Sequence, residues 1–419
     1  MIRPEHKWQV LLVVCIGIFM STLDGSILNI ANPTIAKYFD IPMHLVQWVV
    51  TAYMLTITAT LLLFGRLGDQ ISNEKIYASG FLIFVIGSIL CGIAPSITLL
   101  IIFRIVQAFG ASMLMATGMG IVSNTFPDHE RGQALGITGA VVGLGNMTGP
   151  GLGGLLLAHY NWHIIFWINV PVGLIGIFLA QKCFTFTTSS APNDGYNIKG
   201  NILFALSVIM LLLSLGQQNT SLLLLIAAVL IFIVFYYTDR QASPSMIDYD
   251  LFRSKPFVRG NLMASIVYLT QQSVFFLFPF FLEKMMHYTP AMSGALMTIL
   301  PVAMALTAPL AGTLSDRVGS RRILIISFLL QASAYLLFSQ LDLNSSRTYC
   351  CLALILLGIG MGMFGSPNNS TIFASVPKEK AGYTGGFIAT VRNLSFALGV
   401  TGSVGLFRLI YSHTTAHTN

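Results

Sequence analysis

Thirteen stretches of this chain are apolar at nearly every position, roughly residues 10–30, 45–64, 76–94, 97–122, 134–157, 164–181, 199–215, 221–237, 259–281, 292–311, 323–339, 349–372 and 384–407. Rising about 1.5 Å per residue, helices of this size suit a hydrocarbon core about 30 Å thick. Polar positions gather in the gaps, so the pattern is not the one-sided stripe of a helix lying against water. It predicts an all-α, polytopic membrane protein, because in lipid every backbone polar group must be satisfied within its own helix. The first run, which contains Asp24, reads as a membrane span and not as a cleaved leader.

Two of the gaps echo each other. GRLGDQISNEK begins at Gly65 and GTLSDRVGSRR at Gly312, 247 residues apart (312 minus 65), each leaving one apolar segment and opening the next. The chain is therefore internally duplicated into two pseudo-symmetric helix bundles, the architecture of an alternating-access transporter. Eight segments separate the two loops where a six-plus-six duplication would place six, so two helices have been added at the centre. Residues 199–215 and 221–237 are the candidates; the second, SLLLLIAAVLIFIVFYY, carries nothing to line a wet path and reads as part of a lipid-facing linker. The expected organisation is an N-terminal six-helix bundle over 1–182, a linker with two additional transmembrane helices over 183–240, and a C-terminal bundle of about five helices over 241–419. Within the second linker stretch, Met246, Tyr249, Leu251 and Phe252 form an amphipathic segment that either lies on the inner leaflet or is an ordinary tether.

With 9% charged residues, 55% hydrophobic residues and a mean hydropathy of +0.76, the chain falls outside the soluble globular class. Placing the N-terminus in the cytoplasm puts most of the 22 Lys and Arg on the inner side. Only Lys37, Lys284, Arg347 and Arg408 fall outside, and Arg104 and Arg392 within spans. The net charge of +7 is then topology and attraction to anionic lipid, with no sign of nucleic acid as a partner. The five cysteines and eight histidines show no metal-ligand spacing. Neither a GxxxxGK[ST] loop nor a nucleophile–base arrangement is present, so nothing points to an enzyme or to ATP-driven transport.

Asp24 is the acidic residue deep inside an apolar span. A carboxylate there costs roughly 2.5–3.5 kcal/mol on insertion scales, which makes it a functional candidate by default. By helical rise it lies about 9 Å below the outer face, and Arg104 about 10 Å below the same face. At equal depth the two are natural partners, either as a device that loads and unloads a proton or as a permanent ion pair holding two helices together. Arg392 has no intramembrane acid to match it and either faces a central cavity or bonds backbone carbonyls. Tyr53, Gln107, Tyr268, Gln271, Gln272, Phe275, Phe276, Asn368 and Asn369 are the aromatic and amide candidates for lining that cavity, although each taken singly is more often a packing residue. In the fifth span, GAVVGLGNMTGPGLGG spaces Gly145, Gly149 and Gly153 four apart on one flat face, and Pro150 permits a bend. In the echoing loops, Gly65 and Gly312 allow close approach, while Asp69 and Asp316 are placed to cap the start of the following helix, with Arg317, Arg321 and Arg322 as partners for the latter.

STLDGSILNIANPTI, GRLGDQISNEK, RIVQAFGAS, GNMTGPGLGG and WHIIFWINVPVG together resemble the major facilitator superfamily over essentially the whole chain, and within it the 14-span drug:proton antiporter branch. That resemblance implies a proton-coupling role for Asp24 and for Arg104 with Gln107, and an antiporter motif at Gly149, Pro150, Gly153 and Gly154. It also implies an interdomain gate at Gly65, Asp69, Gly312, Asp316 and Arg317. Ser72, Asn73 and Glu74 replace the usual glycine and bases, which predicts a weaker first latch. The branch's last span is not among the thirteen segments, and an odd count leaves the C-terminus outside. The expectation is a monomeric, multi-pass plasma-membrane transporter exporting small amphipathic toxic compounds, with protons as the coupling ion and no other cofactor. Its rivals are an exporter of lipid or lipid-linked molecules and a non-transporting membrane sensor.

Overall fold

The computed structural model describes residues 4–185, 197–216, 222–243, 245–343 and 345–416, and among them all regular structure is helical. Each apolar stretch falls on a helix: α1 (Pro4–Phe39), α2 (Met43–Ile71), α3 (Asn73–Gly92), α4 (Ile97–Thr125), α5 (Asp128–His159), the short α6 (Ile164–Trp167) running into α7 (Asn169–Cys183), α8 (Ile198–Gly216), α9 (Leu222–Gln241), α10 (Lys255–Phe280), α11 (Pro290–Val318), α12 (Ser320–Ser339), α13 (Arg347–Ala374) and α14 (Ala381–Ala416). Ten helices among the described residues are long and apolar enough to cross a membrane. The chain is a multi-pass membrane protein.

Helices α1–α7 pack around one another, as do α10–α14, and the two groups meet along two seams, α2 against α14 and α5 against α11. Small residues bring the backbones together there: a Cβ on Gly65 would stand 2.6 Å from the Gly382 carbonyl oxygen, and one on Gly136 2.6 Å from that of Ala308. In lipid, where apolar side chains gain little by meeting one another, such close backbone approach is what holds helices together. The α2–α3, α4–α5 and α11–α12 connections share one end of the bundle, the basic face.

The α2–α3 and α11–α12 turns reach the same sharp reversal by different chemistry. In the second, Gly319 takes a positive φ of 91°, which glycine adopts without Cβ strain. In the first, Ser72 is extended at φ 171° and its hydroxyl accepts the Lys75 N–H, so no glycine is needed where the sequence departs from the usual pattern.

The added helices are not wholly a lipid-facing linker. Helix α9 is largely exposed, but α8 packs against both α2 and α14, burying Phe204, Ser207 and Val208. The amphipathic stretch around residue 249 also turns inward: Met246 and Leu251 are buried in the core of the bundle and do not face the bilayer.

Candidate functional site

The densest polar cluster lies inside the N-terminal group of helices. Arg104 Nη1 donates to Asp24 Oδ2 at 2.6 Å and to Gln107 Oε1 at 2.5 Å, and Arg104 Nε donates to the Val49 carbonyl at 3.2 Å. Asp24 Oδ1 accepts from Gln107 Nε2 at 3.0 Å and from Asn169 Nδ2 at 2.9 Å, while Gln107 Nε2 also reaches Ser88 Oγ at 2.8 Å. The Tyr53 ring lies flat beneath the guanidinium, 3.8 Å from its carbon. Five helices (α1, α2, α3, α4 and α7) thus converge on one carboxylate. Asp24, Arg104 and Gln107 are all 0% exposed.

Tyr53 and Gln107, expected on a central cavity, belong to this cluster instead. Helix α4 is apolar all round, so sequence periodicity does not say which of its faces turns toward the bundle interior. Asn169 was not singled out; an amide inside an apolar segment was its only signal. Both carboxylate oxygens of Asp24 receive hydrogen bonds from donors that have none to accept in return. In this state the geometry is that of an ion pair holding α1 to α4.

Helix α1 is pressed into that cluster from behind by α5. A Cβ on Gly153 would meet Ile27 Cγ1 at 2.8 Å and one on Gly149 the Ile27 amide nitrogen at 2.9 Å, while Gly145 faces Thr22 and its carbonyl accepts from Ser26 Oγ at 3.1 Å. Gly154 meets nothing within 4 Å and takes no part in this packing. The side chains of Pro150 and Phe276 lie outside the described residues. Gly149→Val is expected to cost about 1–3 kcal/mol, because the backbone it strikes cannot step aside, whereas Gly154→Ala is expected to be neutral. Thermal unfolding in detergent measures both.

The two aspartates expected at a gate make their hydrogen bonds across the seams and not on their own loops. Asp69, near the end of α2, accepts from the Gly382 and Tyr383 backbone N–H groups at 2.7 Å each, in the first turn of α14, and from Asn73 Nδ2 at 3.2 Å. Asp316, near the end of α11, accepts from the Gly132 and Gln133 N–H groups at 3.1 and 2.9 Å, near the start of α5. Asp69 therefore sits at the positive end of a helix from the opposite half, and Asp316 against the second turn of one. Capping of the following helix is done otherwise, by Ser72 for α3. Arg317 is exposed and pairs with no acid among the described residues, because successive helical residues point about 100° apart. Asn73 adds a third donor to the first latch, which is bonded at least as fully as the second. Missed by sequence reading were the receiving segments, PDHERGQ and PKEKAGY, whose Gly132 and Gly382 stand 250 residues apart (382 minus 132) and form a second echo.

In the C-terminal group, Tyr268 makes edge contacts with Phe396 and Phe364 at 5.5 and 6.3 Å. Phe275 lies half-buried in the same core. Asn369 Nδ2 reaches Met119 Sδ at 3.9 Å, a contact between α13 and α4 across the halves. Asn368 does not line this space: it is buried and donates to the Gly260 carbonyl at 3.2 Å. Gln271 is 9% exposed, and Gln272 packs toward Gly399 on α14. Arg392 has no acidic partner among the described residues.

A family model described as Major Facilitator Superfamily matches residues 14–400. The chain belongs to that superfamily of transporters. The riboflavin transporter RibZ of Clostridioides difficile (strain 630) is 47% identical over 99% of this chain and 92% of its own length. The multidrug resistance protein Stp of Mycobacterium tuberculosis (strain CDC 1551 / Oshkosh) is 30% identical over 95% of the chain and 76% of its own length. Among solved structures, the proton:xylose symporter XylE bound to 6-bromo-6-deoxy-D-glucose superposes on this major facilitator fold with a TM-score of 0.68, covering 99% of this chain and 91% of that one at 12% identity.

Proposed function

We propose that this protein carries a neutral, planar, hydrogen-bonding solute of the riboflavin class across the plasma membrane by alternating access, with protons as the coupling ion exchanged at Asp24. The near full-length 47% identity to a riboflavin transporter carries the reading of the cargo. The described residues around Tyr268, Phe396, Asn369 and Arg392 fit it in kind: aromatic faces for a flat ring, amide and guanidinium groups for its polar edge, and no carboxylate to attract a cation. The basic face is the cytoplasmic one, and both latches are then closed on that side. A proton moving through 100 mV supplies about 2.3 kcal/mol, roughly a fifty-fold solute gradient.

Export of amphipathic drugs by the 14-span antiporter arrangement is the second reading, favoured by the relative named for multidrug resistance and by the glycine strip of α5 against α1. The lipid-export reading finds less support, since the seams are drawn together by backbone contacts at Gly65, Gly136 and Gly312. Flux of riboflavin into and out of proteoliposomes under an imposed pH gradient tests the proposal. Tyr268→Ala is expected to weaken apparent riboflavin affinity about tenfold, near the upper end of one aromatic contact. Export of a cationic dye with no riboflavin flux in either direction would replace the first reading by the second.

A further inference from the structure

Beyond the cargo and its coupling, we infer that the α8–α9 hairpin and the strap that follows it form an additional bracket holding the basic end of the α2–α14 seam closed. The strap, residues 245–253, ends in a 3-10 turn, Tyr249–Arg253. Asp239, fully buried near the C-terminal end of α9, organises its start. That is an unfavourable place for a negative charge, next to the negative pole of a helix, and four donors compensate it. The backbone N–H groups of Met246 and Ile247 donate at 2.5 and 2.9 Å, Asn197 Nδ2 at 2.7 Å and Tyr249 Oη at 3.2 Å. Asn197 also accepts from the Gly200 N–H at 2.9 Å, capping α8. Burial and the Asp239 carboxylate push the Tyr249 phenol up to about 12, so it remains a donor. One carboxylate therefore ties together the start of α8, the end of α9 and the strap.

The strap then grips the same start of α14 that the Asp69 latch grips, with Tyr383 common to both. Asp248 is ion-paired with Lys380, and its backbone N–H donates to Tyr383 Oη at 3.2 Å; the N–H of the same Tyr383 donates to Asp69. Phe252 packs edge-on against Phe257 and Phe387 at 5.6 Å each. On the other side of the seam, α8 lies on α2. When the basic ends of α2 and α14 part, either the α8–α2 packing or the strap's hold on Lys380 and Tyr383 must give way, in addition to the Asp69 latch. The α5–α11 seam has no such cover among the described residues, so the hairpin makes the two pseudo-symmetric seams unequal.

The test is a distance distribution between spin labels at Ile71 and Lys378, both exposed and on opposite sides of the seam, in lipid nanodiscs. Asp239→Asn is expected to lower the closed-to-open ratio about tenfold, the order expected when charge-assisted bonds to a buried carboxylate are lost. Asp248→Ala and Lys380→Ala, whose pair is partly exposed, are expected to lower it by roughly two- to fivefold. Asp250→Ala is the control, since Asp250 is largely exposed and pairs with Arg253 on the strap itself, and is expected to change nothing. If Asp239→Asn does not fold, Asp248→Ala and Lys380→Ala carry the test. A wild-type distribution in every strap variant that folds, alongside an opened one in Asp69→Ala, would overturn the inference and leave the hairpin as a passenger on one half.

Discussion

Asp24→Asn is expected to abolish pH-driven accumulation and to cost about 3–5 kcal/mol of stability, because it leaves the Arg104 guanidinium fully buried without a counter-charge. The replacement amide also turns an NH2 group toward Gln107 and Asn169, which already present donors to Oδ1. Against a typical total of 5–15 kcal/mol, that loss is large enough to read as a fall in melting temperature in detergent. Two roles for the pair, structural and coupling, would both suffer in this variant, so a second substitution separates them. Combining Asp24→Asn with Arg104→Met removes both charges and keeps a side chain of similar reach. Since the double variant leaves no uncompensated buried charge, it is expected to regain part of the lost stability while pH-driven flux stays absent. Recovery of flux along with stability would show that the pair only holds α1 to α4 and that the coupling proton binds elsewhere.

The membrane dictated how much of this was legible from sequence. In lipid, crossing helices must be nearly all apolar, so their number and order stand out, and about 1.5 Å of rise per residue is enough to place Asp24 and Arg104 at one depth. The same uniformity hides rotation. Gln107 and Asn368 lie on helices with no marked polar stripe to give the facing direction; they and Tyr53 turned into their own bundles and not toward a cavity. The amphipathic strap was ambiguous for a related reason, as Met246 and Leu251 suit a lipid surface and a protein core equally well. The targets of Asp69 and Asp316 lie in the opposite half, and the local reading, that a carboxylate near a turn caps the next helix, failed because Ser72 already does so for α3. The echo of PDHERGQ with PKEKAGY held the missing information, weaker than that of the two loops because only its proline and glycine repeat in place.

The two carboxylate latches oppose the same motion, so their combined loss is expected to exceed any single change at the gate. Each aspartate accepts two backbone N–H groups near the start of a helix from the other half, and loss of such charge-assisted bonds is worth about 1.5–3 kcal/mol. Asp69→Ala or Asp316→Ala alone should then shift the closed-to-open ratio roughly 10- to 150-fold. The sites share no hydrogen-bond partner and lie on different seams, so their effects should add in free energy, giving on the order of 10²–10⁴-fold for the double variant. Labels at Ile71 with Lys378, and at His129 with Arg317, report the two seams separately. Rigid halves that rock as bodies require both pairs to lengthen together in either single variant. If Asp69→Ala opens only the Ile71–Lys378 pair and Asp316→Ala only the other, the halves flex instead of rocking, and the alternating access proposed for this transporter needs a different moving part.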